Sequence, residues 1–543
     1  MQVESICIVG GGSSGWMTAA LLSKEHPDIE MCLIESPNIK PIGVGESTLA
    51  HFNRYLKRLG LKDEDWMAQC NATYKASIRF KNFREGKGES FQYPFGAFGP
   101  AKTEYNKIIN NDEIAEHLMR FFELQCVYTR NVYPPEEFAR FCNRQTYMAE
   151  EGKIAMEIPG PFGSEGFHYN PENDIAYHLN ADKFGEYLRD NIAIPNGVHH
   201  IKGDVHNVIK TPEGDISAVT TIDGGAISAD LFIDCTGFRS LLLEQHMGVP
   251  FVSFNDQLFN DRALATHIEY DDKETQMDCY TDCVALNNGW VYNIPMWNHI
   301  GTGYVYSSKY VSDTDAEKEF REYLPESAQD CQMMPIKIKH GKHIHAWEKN
   351  VVGIGLAYGF LEPLESTGLL TTHENLLVLT DILGCRDAHV THHDRLMFNY
   401  TAERVLESMK NFVTLHYTMS IREDTPYWKD ATNTVEFEQH WGGQTSEATL
   451  SALNDYRALM DYMDKKMFDH TKMGEGSIYI AAGQGIRPFT ERLFFERADD
   501  QRIEEVREYH AAYVKDRKFM LDWVKTLPSH YQYLKDNIYV ESV

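Results

Sequence analysis

Three glycines near the start of the chain have the spacing of a nucleotide-binding turn. They form the pattern Gly10-x-Gly12-x-x-Gly15 directly after an apolar segment, and Glu35 follows twenty residues later. In such a turn the first glycine permits the bend, the second lets the backbone approach a diphosphate at the positive end of a helix, and the third lets helix and strand pack closely. A carboxylate at Glu35 suits ribose hydroxyls. The pattern therefore predicts a dinucleotide site rather than a glycine turn without a ligand.

Two later glycine turns also follow apolar segments and require close approach of the backbone. Residues 42–47 read IGVGES, and residues 234–237 read DCTG. The first turn alone leaves NAD and FAD open, because both carry the same diphosphate. The third turn has the form found near FAD in many flavoproteins, so three such turns in one chain favour FAD.

An alternation of strands and helices must position these turns. The segment Ser5–Val9 is predicted to be a strand, residues 16–24 a helix, and residues 30–34 a second strand. The alternation continues along the chain, with predicted helices at 180–191 and 402–414 and predicted strands at 231–234 and 290–294. This order predicts an α/β fold.

Composition separates a core from a C-terminal part. Residues from about 85 to 175 are rich in Gly, Pro, Phe and Tyr and have weak periodicity, which indicates loops and a cap over a site. Amphipathic helical patterns follow later, at 448–468 and 502–525. We therefore predict a core at 1–430, with interleaved substrate-binding segments at about 85–175, and a helical C-terminal subdomain at 431–543.

Charge and hydropathy exclude several classes of protein. The chain has 543 residues, of which 43% are hydrophobic, enough for a large folded core. Its 52 Lys and Arg against 80 Asp and Glu give a net charge of −28, which repels nucleic acid and anionic membranes. No apolar run approaches the ~20 residues of a membrane helix. The first segment lacks the features of a secretory signal, so we expect a cytoplasmic protein.

The cysteines and histidines do not predict a metal or disulfide site. The ten cysteines include no CxxC pair, and reduced thiols are expected. His389, His392 and His393 are close in sequence, but no acidic partner has the spacing of a known metal site. We interpret them as solvated surface residues.

Five motifs together resemble the flavin-dependent tryptophan halogenases. They are the first glycine turn followed by Trp16, the GVGES turn, YKA at 74–76, GTGYVYSS at 301–308 and FLEPLESTG at 360–368. The resemblance extends from residue 1 to about 430, and it implies a Rossmann-like, GxGxxG FAD-binding core of the flavin monooxygenase type. One motif departs from the family: Gly-Trp-x-Trp-x-Ile-Pro is GWVYNIP at 289–295, where Trp290 is kept and Tyr292 replaces the second Trp.

The resemblance implies a two-component halogenase. In that family FADH2 from a separate flavin reductase, O2 and halide give hypohalous acid, which travels to a lysine beside an aromatic substrate. The match places this lysine at Lys75, where an ammonium can polarise hypohalous acid and a neutral amine can itself be halogenated. It also places a carboxylate at Glu365, which stabilises the positive ring intermediate and assists removal of its proton. The simpler alternative for Lys75 is a surface lysine on a strand. The simpler alternative for Glu365 is a helix cap in the ESTG turn at 365–368.

The same resemblance assigns contacts to halide, flavin and substrate. Backbone N–H groups at Thr367 and Gly368 match the halide position, and such groups at a turn suit an anion. Val205 matches an adenine contact, with a plain strand-core role as its alternative. The other residues assigned to FAD are Gly10, Gly12, Ser13, Ser14, Gly15, Glu35, Ser47, Leu356 and Leu369. Those assigned to the substrate are Phe95, Trp290, Ser366 and Tyr93, which replaces a His of the family motif.

The predicted substrate is an electron-rich aromatic small molecule without a zwitterion. Tryptophan-specific members hold the amino acid with Tyr-Tyr and Phe-Trp pairs, and residues 432–441 contain no such pairs. Phe95 matches a position that stacks on an indole, so an aromatic pocket is expected without the amino-acid clamp. We predict bromination or iodination of an indole- or phenol-like compound ahead of chlorination of free tryptophan.

Two other functions stay open at this point. A single-component flavin monooxygenase that hydroxylates an aromatic ring resembles this chain at its N-terminus, but it carries a late Gly-Asp motif where this chain has GLA at 355–357. A flavin-binding protein without activity is disfavoured because both Lys75 and Glu365 are present. The sequence leaves the oligomeric state open, including a homo-oligomer.

Overall fold

Two units, each assembled from three separate stretches of chain, make up the protein. A computed structural model describes residues 1–39, 45–96, 121, 123–128, 132–160, 167–168, 174–222, 224–433, 474–485 and 498–540. The first unit comprises Met1–Thr73, Tyr177–Asn255 and Lys337–Met409. The second unit comprises Tyr74–Ala176, Asp256–Ile336 and Lys410–Val543.

The described helices and strands are numbered in chain order. The α-helices are α1 Ser13–Glu25, α2 Phe52–Leu59, α3 Asp63–Trp66, α4 Glu137–Cys142, α5 Gln145–Glu150, α6 Ala181–Leu188, α7 Lys273–Gln276, α8 Asp313–Tyr323, α9 Thr367–Gly384, α10 His392–Thr418, α11 Pro426–Ala431, α12 Gly474–Gly483, α13 Asp500–Val524 and α14 His530–Asn537. The strands are β1 Ser5–Val9, β2 Glu30–Glu35, β3 Glu46–Ser47, β4 Thr73–Lys75, β5 Ser77–Lys81, β6 Ser90–Pro94, β7 Glu157–Ile158, β8 Phe167–His168, β9 Ala176–Leu179, β10 His199–Lys202, β11 Val205–Lys210, β12 Ile216–Thr221, β13 Ala226–Ile227, β14 Leu231–Asp234, β15 Phe251–Ser253, β16 Arg262–Ile268, β17 Tyr280–Ala285, β18 Gly289–Pro295, β19 Ile300–Tyr306, β20 Met334–Lys337, β21 Gly341–His343, β22 Trp347–Glu348, β23 Val351–Gly353 and β24 Gly359–Phe360.

A six-stranded sheet forms the centre of the first unit. Its order is β10-β2-β1-β14-β23-β22, and every neighbouring pair is parallel except β22 with β23. Strands β1 and β14 are almost entirely buried, which explains why they read as continuous apolar runs. Because parallel strands end at the same edge, the glycine turns after β1 and β14 lie side by side.

A seven-stranded sheet forms the centre of the second unit. Its order is β20-β16-β19-β18-β17-β5-β6, and the pairs from β16 to β6 are antiparallel except β17 with β5. Tyr292 on β18 lies opposite Gly303 on β19, and a Cβ at Gly303 would overlap the tyrosine hydroxyl. The tyrosine that replaces the family's second tryptophan is therefore packed over a glycine of the GTGYVYSS motif.

Most predicted elements are present, with shifted ends. Strands β1 and β14 match their predicted bounds. Helix α1 begins at Ser13, earlier than predicted, because Gly12 is already its N-cap. Helix α6 is the helix predicted at 180–191, capped by the Asn180 side chain, and it passes into a π-helical turn at Arg189–Ala193. Helices α10 and α13 and strands β2 and β18 occupy the other predicted positions.

The segment from 85 to 175 is more regular than expected in its described part. It contains β6 and the helices α4 and α5, each of 6 residues. Helices of that length are too short to produce a visible amphipathic period. The helix predicted at 448–468 lies outside the described residues, and the domain boundary at 430 stays a prediction. Within the described ranges no helix has both the length and the apolar composition needed to cross a bilayer.

Candidate active site

The predicted site residues divide between the two units. The nucleotide-binding turns, Glu365 and the turn with Thr367 and Gly368 belong to the first unit. Lys75 belongs to the second unit, as do the predicted substrate residues Tyr93, Phe95 and Trp290. Ser366, also predicted to contact substrate, belongs to the first unit.

The first glycine turn is built by close backbone packing. Gly10 has a φ of 116°, a conformation that favours glycine, and a Cβ there would overlap the carbonyl group of Cys235 in the neighbouring turn. A Cβ at Gly15 would overlap the carbonyl oxygen of Gly10. These two glycines therefore hold the turn after β1 against the turn after β14 and let α1 begin at once.

Gly12 differs from its neighbours because it faces open space. It is exposed and is the N-cap of the 13-residue helix α1, and a Cβ at Gly12 meets no heavy atom of the described residues within 4 Å. Ser13 and Ser14 are the first helical residues and are half-buried. The N-terminus of a helix attracts anions and presents N–H donors. The turn therefore fits the diphosphate of a dinucleotide.

Glu35 at the end of β2 is held by a histidine that the sequence analysis missed. Oε2 of Glu35 lies 2.6 Å from Nε2 of His200, and the His200 ring meets Trp16 edge to face at 4.9 Å. A Cβ at Gly11 would overlap the Glu35 side chain, so the middle residue of the turn must also be small. His200 is 165 residues from Glu35 along the chain, and no local motif marks it.

The remaining residues assigned to FAD have different surroundings. Ser47 accepts a hydrogen bond from the hydroxyl of Ser366 at 3.0 Å, which joins the GVGES turn to the ESTG turn. Leu356 is half-buried in a short 3-10 turn, and Leu369 is buried in the first turn of α9. Val205 packs on the hydrophobic core beside the six-stranded sheet, in line with its strand-core alternative.

The ESTG turn places two backbone N–H groups at the start of a long helix. Ser366 has a φ of 56° and separates the 3-10 turn Pro363–Glu365 from α9, which begins at Thr367 and runs for 18 residues. The Thr367 hydroxyl donates to the carbonyl oxygen of Glu362 at 3.1 Å, which fixes the turn. The first N–H groups of a helix have no acceptor within it, so Thr367 and Gly368 suit an anion.

Glu365 lies directly before the turn of Thr367 and Gly368 and is fully buried. It precedes Ser366, the N-cap of α9, so its position does not fit the helix-cap alternative. A buried carboxylate is costly unless it has a functional or structural partner. The catalytic role of Glu365 stays a prediction.

Glu46, in the GVGES turn, is a half-buried carboxyl group that the sequence analysis did not single out. Its Oε2 lies 3.4 Å from the position that a Cβ of Gly368 would take. Burial and the negative charge of Asp182 raise the pKa of Glu46 to about 7. The carboxyl group beside Gly368 therefore has a pKa near neutral pH.

Lys75 is a buried lysine at the end of β4. Its relative exposure is 0%, which rules out the surface-lysine alternative, and its Nζ lies 5.0 Å from the centre of the Phe95 ring. The next residue, Ala76, accepts hydrogen bonds from the Phe95 N–H at 2.9 Å and from the side chain of Gln145 at 3.0 Å. Lys75 and Phe95 are thus fixed as neighbours.

Aromatic rings continue from Phe95 along β6. The Tyr93 ring is perpendicular to the Phe95 ring at 5.7 Å, and it meets Tyr479 of α12 at 5.9 Å. Gly476 permits this approach, since its Cβ would lie 2.7 Å from the Tyr93 hydroxyl. Trp290 is fully buried on β18, with its ring 6.2 Å from that of Tyr292. The sequence analysis predicted Phe95 and Tyr93 but missed Tyr479, which lies almost 400 positions away.

The histidines near residue 390 are surface residues. His389, His392 and His393 are all exposed. In the part of the chain that the structure describes, no three His, Cys, Asp or Glu side chains are grouped as metal ligands. All ten cysteines are free thiols.

Comparison with known proteins identifies the family. Residues 5–499 match the family model described as tryptophan halogenase. The tryptophan 6-halogenase SttH of Streptomyces toxytricini is 32% identical over 543 residues, which cover 98% of this chain and 97% of that protein. Its crystal structure superposes with a TM-score of 0.78 at 31% identity and covers 98% of this chain and 99% of that chain.

Two further solved structures are similar over nearly the whole chain. The apo structure of VirX1 has a TM-score of 0.85 and 45% identity, with 99% of this chain and 100% of that chain covered. Tar14, a tryptophan C-6 flavin-dependent halogenase from taromycin biosynthesis, has a TM-score of 0.79 and 29% identity, with 98% and 99% covered. These similarities favour halogenation over aromatic hydroxylation. The chain therefore belongs to the tryptophan halogenase family and is a flavin-dependent halogenase.

Proposed function

We propose that this enzyme halogenates an electron-rich aromatic small molecule, indole- or phenol-like, with hypohalous acid held by Lys75. The observation that carries this proposal is the complete burial of Lys75 beside the Phe95 ring. An ammonium kept away from water and next to an aromatic wall is suited to hold an oxidant against a ring.

The transfer step balances without any further reactant. The Lys75 ammonium donates a hydrogen bond to the oxygen of hypohalous acid, which makes the halogen more electrophilic. A ring carbon bonds to the halogen, the O–X bond breaks, and the hydroxide oxygen takes a proton from the Lys75 ammonium and leaves as water. The positive ring then loses its proton to the Glu365 carboxylate, which restores aromaticity.

The first unit supplies the oxidant in this proposal. Bound FADH2, with O2, supplies the two-electron oxidation of the halide. Gly12, Ser13 and Ser14 hold the diphosphate at the N-terminus of α1, and Glu35, fixed by His200, accepts from the ribose. Thr367 and Gly368 bind the halide through their N–H groups. FADH2 comes from a separate flavin reductase, so the chain with FAD and NADH alone forms no product.

One assay tests the whole proposal. The purified protein is given FAD, a generic flavin reductase with NADH, a panel of aromatics and chloride, bromide or iodide, and products are read by mass spectrometry. Halogenated products that depend on the reductase and on halide are expected. Hydroxylated products formed equally well without halide would instead identify a hydroxylase.

The substrate preference is expected to favour indole over tryptophan and bromide over chloride. A pocket without an amino-acid clamp gains nothing from the charged ends of tryptophan, and bromide is oxidised more easily than chloride. Equal amounts of indole and tryptophan compete in one vessel with equal bromide and chloride. Bromoindole should exceed chlorotryptophan by about tenfold, which corresponds to a tenfold difference in specificity. Dominant chlorotryptophan would refute the substrate class and leave the halogenase assignment intact.

The KM for bromide is expected to rise with pH because of Glu46. Below its pKa of about 7 the carboxyl is neutral and tolerates an anion beside Gly368, and above that pKa its negative charge repels the anion. The KM for bromide should therefore increase above pH 7, approaching about tenfold per pH unit, as expected for one linked proton. Initial rates at several bromide concentrations between about pH 6 and pH 9 measure this dependence. Glu46→Gln, which cannot ionise, should flatten the profile; parallel profiles for both proteins would contradict the role of Glu46.

A further inference from the structure

His530 is a fully buried histidine that contacts the chain next to Lys75. It is the first residue of α14. Its Nε2 lies 3.2 Å from the backbone nitrogen of Tyr74, the residue before the lysine. Its Nδ1 lies 3.2 Å from the carbonyl oxygen of Met277. The ring thus joins two segments that are far apart in sequence, and all of these residues belong to the second unit.

The two partners determine which nitrogen of His530 carries the hydrogen. A backbone N–H can only donate, so Nε2 accepts from Tyr74. A carbonyl oxygen can only accept, so Nδ1 carries the hydrogen and donates it to Met277. Burial lowers the pKa of His530 to about 4, which keeps the ring neutral near pH 7. Only this neutral form makes both hydrogen bonds at once.

A direct hydrogen bond joins the segments around Lys75 and Met277 on the other side of the lysine. The backbone N–H of Ala76 donates to the carbonyl oxygen of Cys279 at 2.7 Å. The backbone N–H groups of Tyr74 and Ala76, on either side of Lys75, are therefore both tied to residues 277–279, which lead into β17. Because the lysine side chain is long, a small tilt of its backbone moves the ammonium by a larger distance.

Helix α14 is itself anchored, so the histidine ring is a fixed support. The backbone N–H of His530 donates to the carbonyl oxygen of Gly152 at 2.9 Å. The Ser529 hydroxyl caps the helix by accepting from the Gln532 N–H at 3.0 Å. Leu534, one turn later, is fully buried, and the Tyr533 ring lies 6.2 Å from the Tyr74 ring.

We propose that His530 is a positioning residue for Lys75. Its neutral ring ties the backbone before the lysine to Met277 and so sets where the ammonium lies beside Phe95 during halogen transfer. This role rests on the function proposed for Lys75 and assigns to the C-terminal helix a part in the chemistry.

Three variants of the full chain test this role. His530→Leu removes both hydrogen bonds, and His530→Gln retains an acceptor and a donor. Leu534→Ala is the matched control, because it removes buried apolar contacts of the same helix and leaves both His530 side-chain hydrogen bonds in place. Hydrogen exchange of the 73–77 backbone is measured by mass spectrometry on the protein alone. Halogenated product per FADH2 oxidised is measured in the assay with reductase.

The expected pattern separates positioning from general stability. His530→Leu should speed exchange at 73–77 and lower product per FADH2 oxidised by about tenfold or more, since misplacement of a reacting group is costly. His530→Gln should recover at least half of the wild-type ratio. Leu534→Ala should lower the melting temperature while its product ratio stays near wild type.

Two results would overturn the positioning role. One is a folded His530→Leu variant that keeps the wild-type amount of product per FADH2 oxidised. The other is a Leu534→Ala variant that loses as much product per FADH2 oxidised as His530→Leu does. Lys75→Met is assayed beside them. If Lys75→Met also keeps the wild-type ratio, the proposed function of Lys75 is wrong and the role of His530 falls with it. If Lys75→Met loses product while the His530 variants behave as wild type, the positioning role of His530 is wrong and the proposed function of Lys75 stands. If His530→Leu does not fold, the exchange rate and product ratio of His530→Gln are compared with those of Leu534→Ala. That comparison then decides whether His530 positions Lys75.

Discussion

Replacement of Lys75 by methionine is expected to lower the yield of halogenated product by about 100-fold or more, while FADH2 is still oxidised at the wild-type rate. Lys75 is buried beside Phe95, and methionine fills a similar volume without a hydrogen-bond donor. In the proposed function, the flavin reaction uses residues of the first unit and precedes the step at the lysine. Product by mass spectrometry and flavin oxidation by absorbance are followed in the same vessel.

The matched control for this prediction is Lys81→Met. Lys81 is the last residue of β5 in the same unit and is half-exposed. Its replacement should change product yield by less than about twofold, as is usual for a surface site. Thermal unfolding of both variants confirms that they fold. Wild-type yield from Lys75→Met, or an equal loss from Lys81→Met, would show that the lysine at position 75 is not the catalytic one.

Alanine at Gly15 is expected to impair both folding and flavin binding, whereas alanine at Gly12 is expected to impair flavin binding alone. At Gly15 a Cβ overlaps the carbonyl oxygen of Gly10, so Gly15→Ala should destabilise the first unit by about 3 kcal/mol or more and abolish FAD binding. At Gly12 a Cβ meets no described atom within 4 Å, so Gly12→Ala should fold normally. It should still weaken FAD binding by about tenfold or more, because a methyl group stands where the diphosphate approaches.

Two measurements on the same samples separate these effects. The melting temperature without FAD reports on folding, and quenching of flavin fluorescence reports on binding. Ser23→Ala, at a buried position in the last turn of α1, controls for any change in that helix. If Gly12→Ala binds FAD as tightly as the wild type, the diphosphate does not lie over this turn and the nucleotide site must be placed elsewhere.

Local chemistry made part of the site predictable from sequence. The turn around Gly10 could be recognised because its backbone demands are met within a few residues: a positive φ at Gly10 and close contact between Gly10 and Gly15. The same holds for the ESTG turn, where Ser366 adopts a positive φ immediately before an 18-residue helix. The resemblance then selected Lys75 and Glu365, and the structure places both inside the protein.

Contacts between distant parts of the chain were not predictable in this way. The Tyr479 ring reaches Tyr93 because Gly476 lets α12 approach β6. The sequence analysis expected a core at 1–430 with interleaved substrate-binding segments and a helical C-terminal subdomain at 431–543, and that division stays a prediction. In the structure, each unit draws on three stretches of chain, so neighbours in space are seldom neighbours in sequence.

By itself the sequence determined the βαβ opening, the glycine turns and the family to which the chain belongs, because these depend on residue types within short segments. Tertiary structure alone decided that Lys75 is buried, that Glu46 lies beside Gly368, and that the ring of His530 accepts from the Tyr74 N–H across 456 residues. Burial, the pKa of a carboxyl group and the tautomer of a histidine are set by whatever surrounds the side chain. Those surroundings exist only when the sheets and helices have packed.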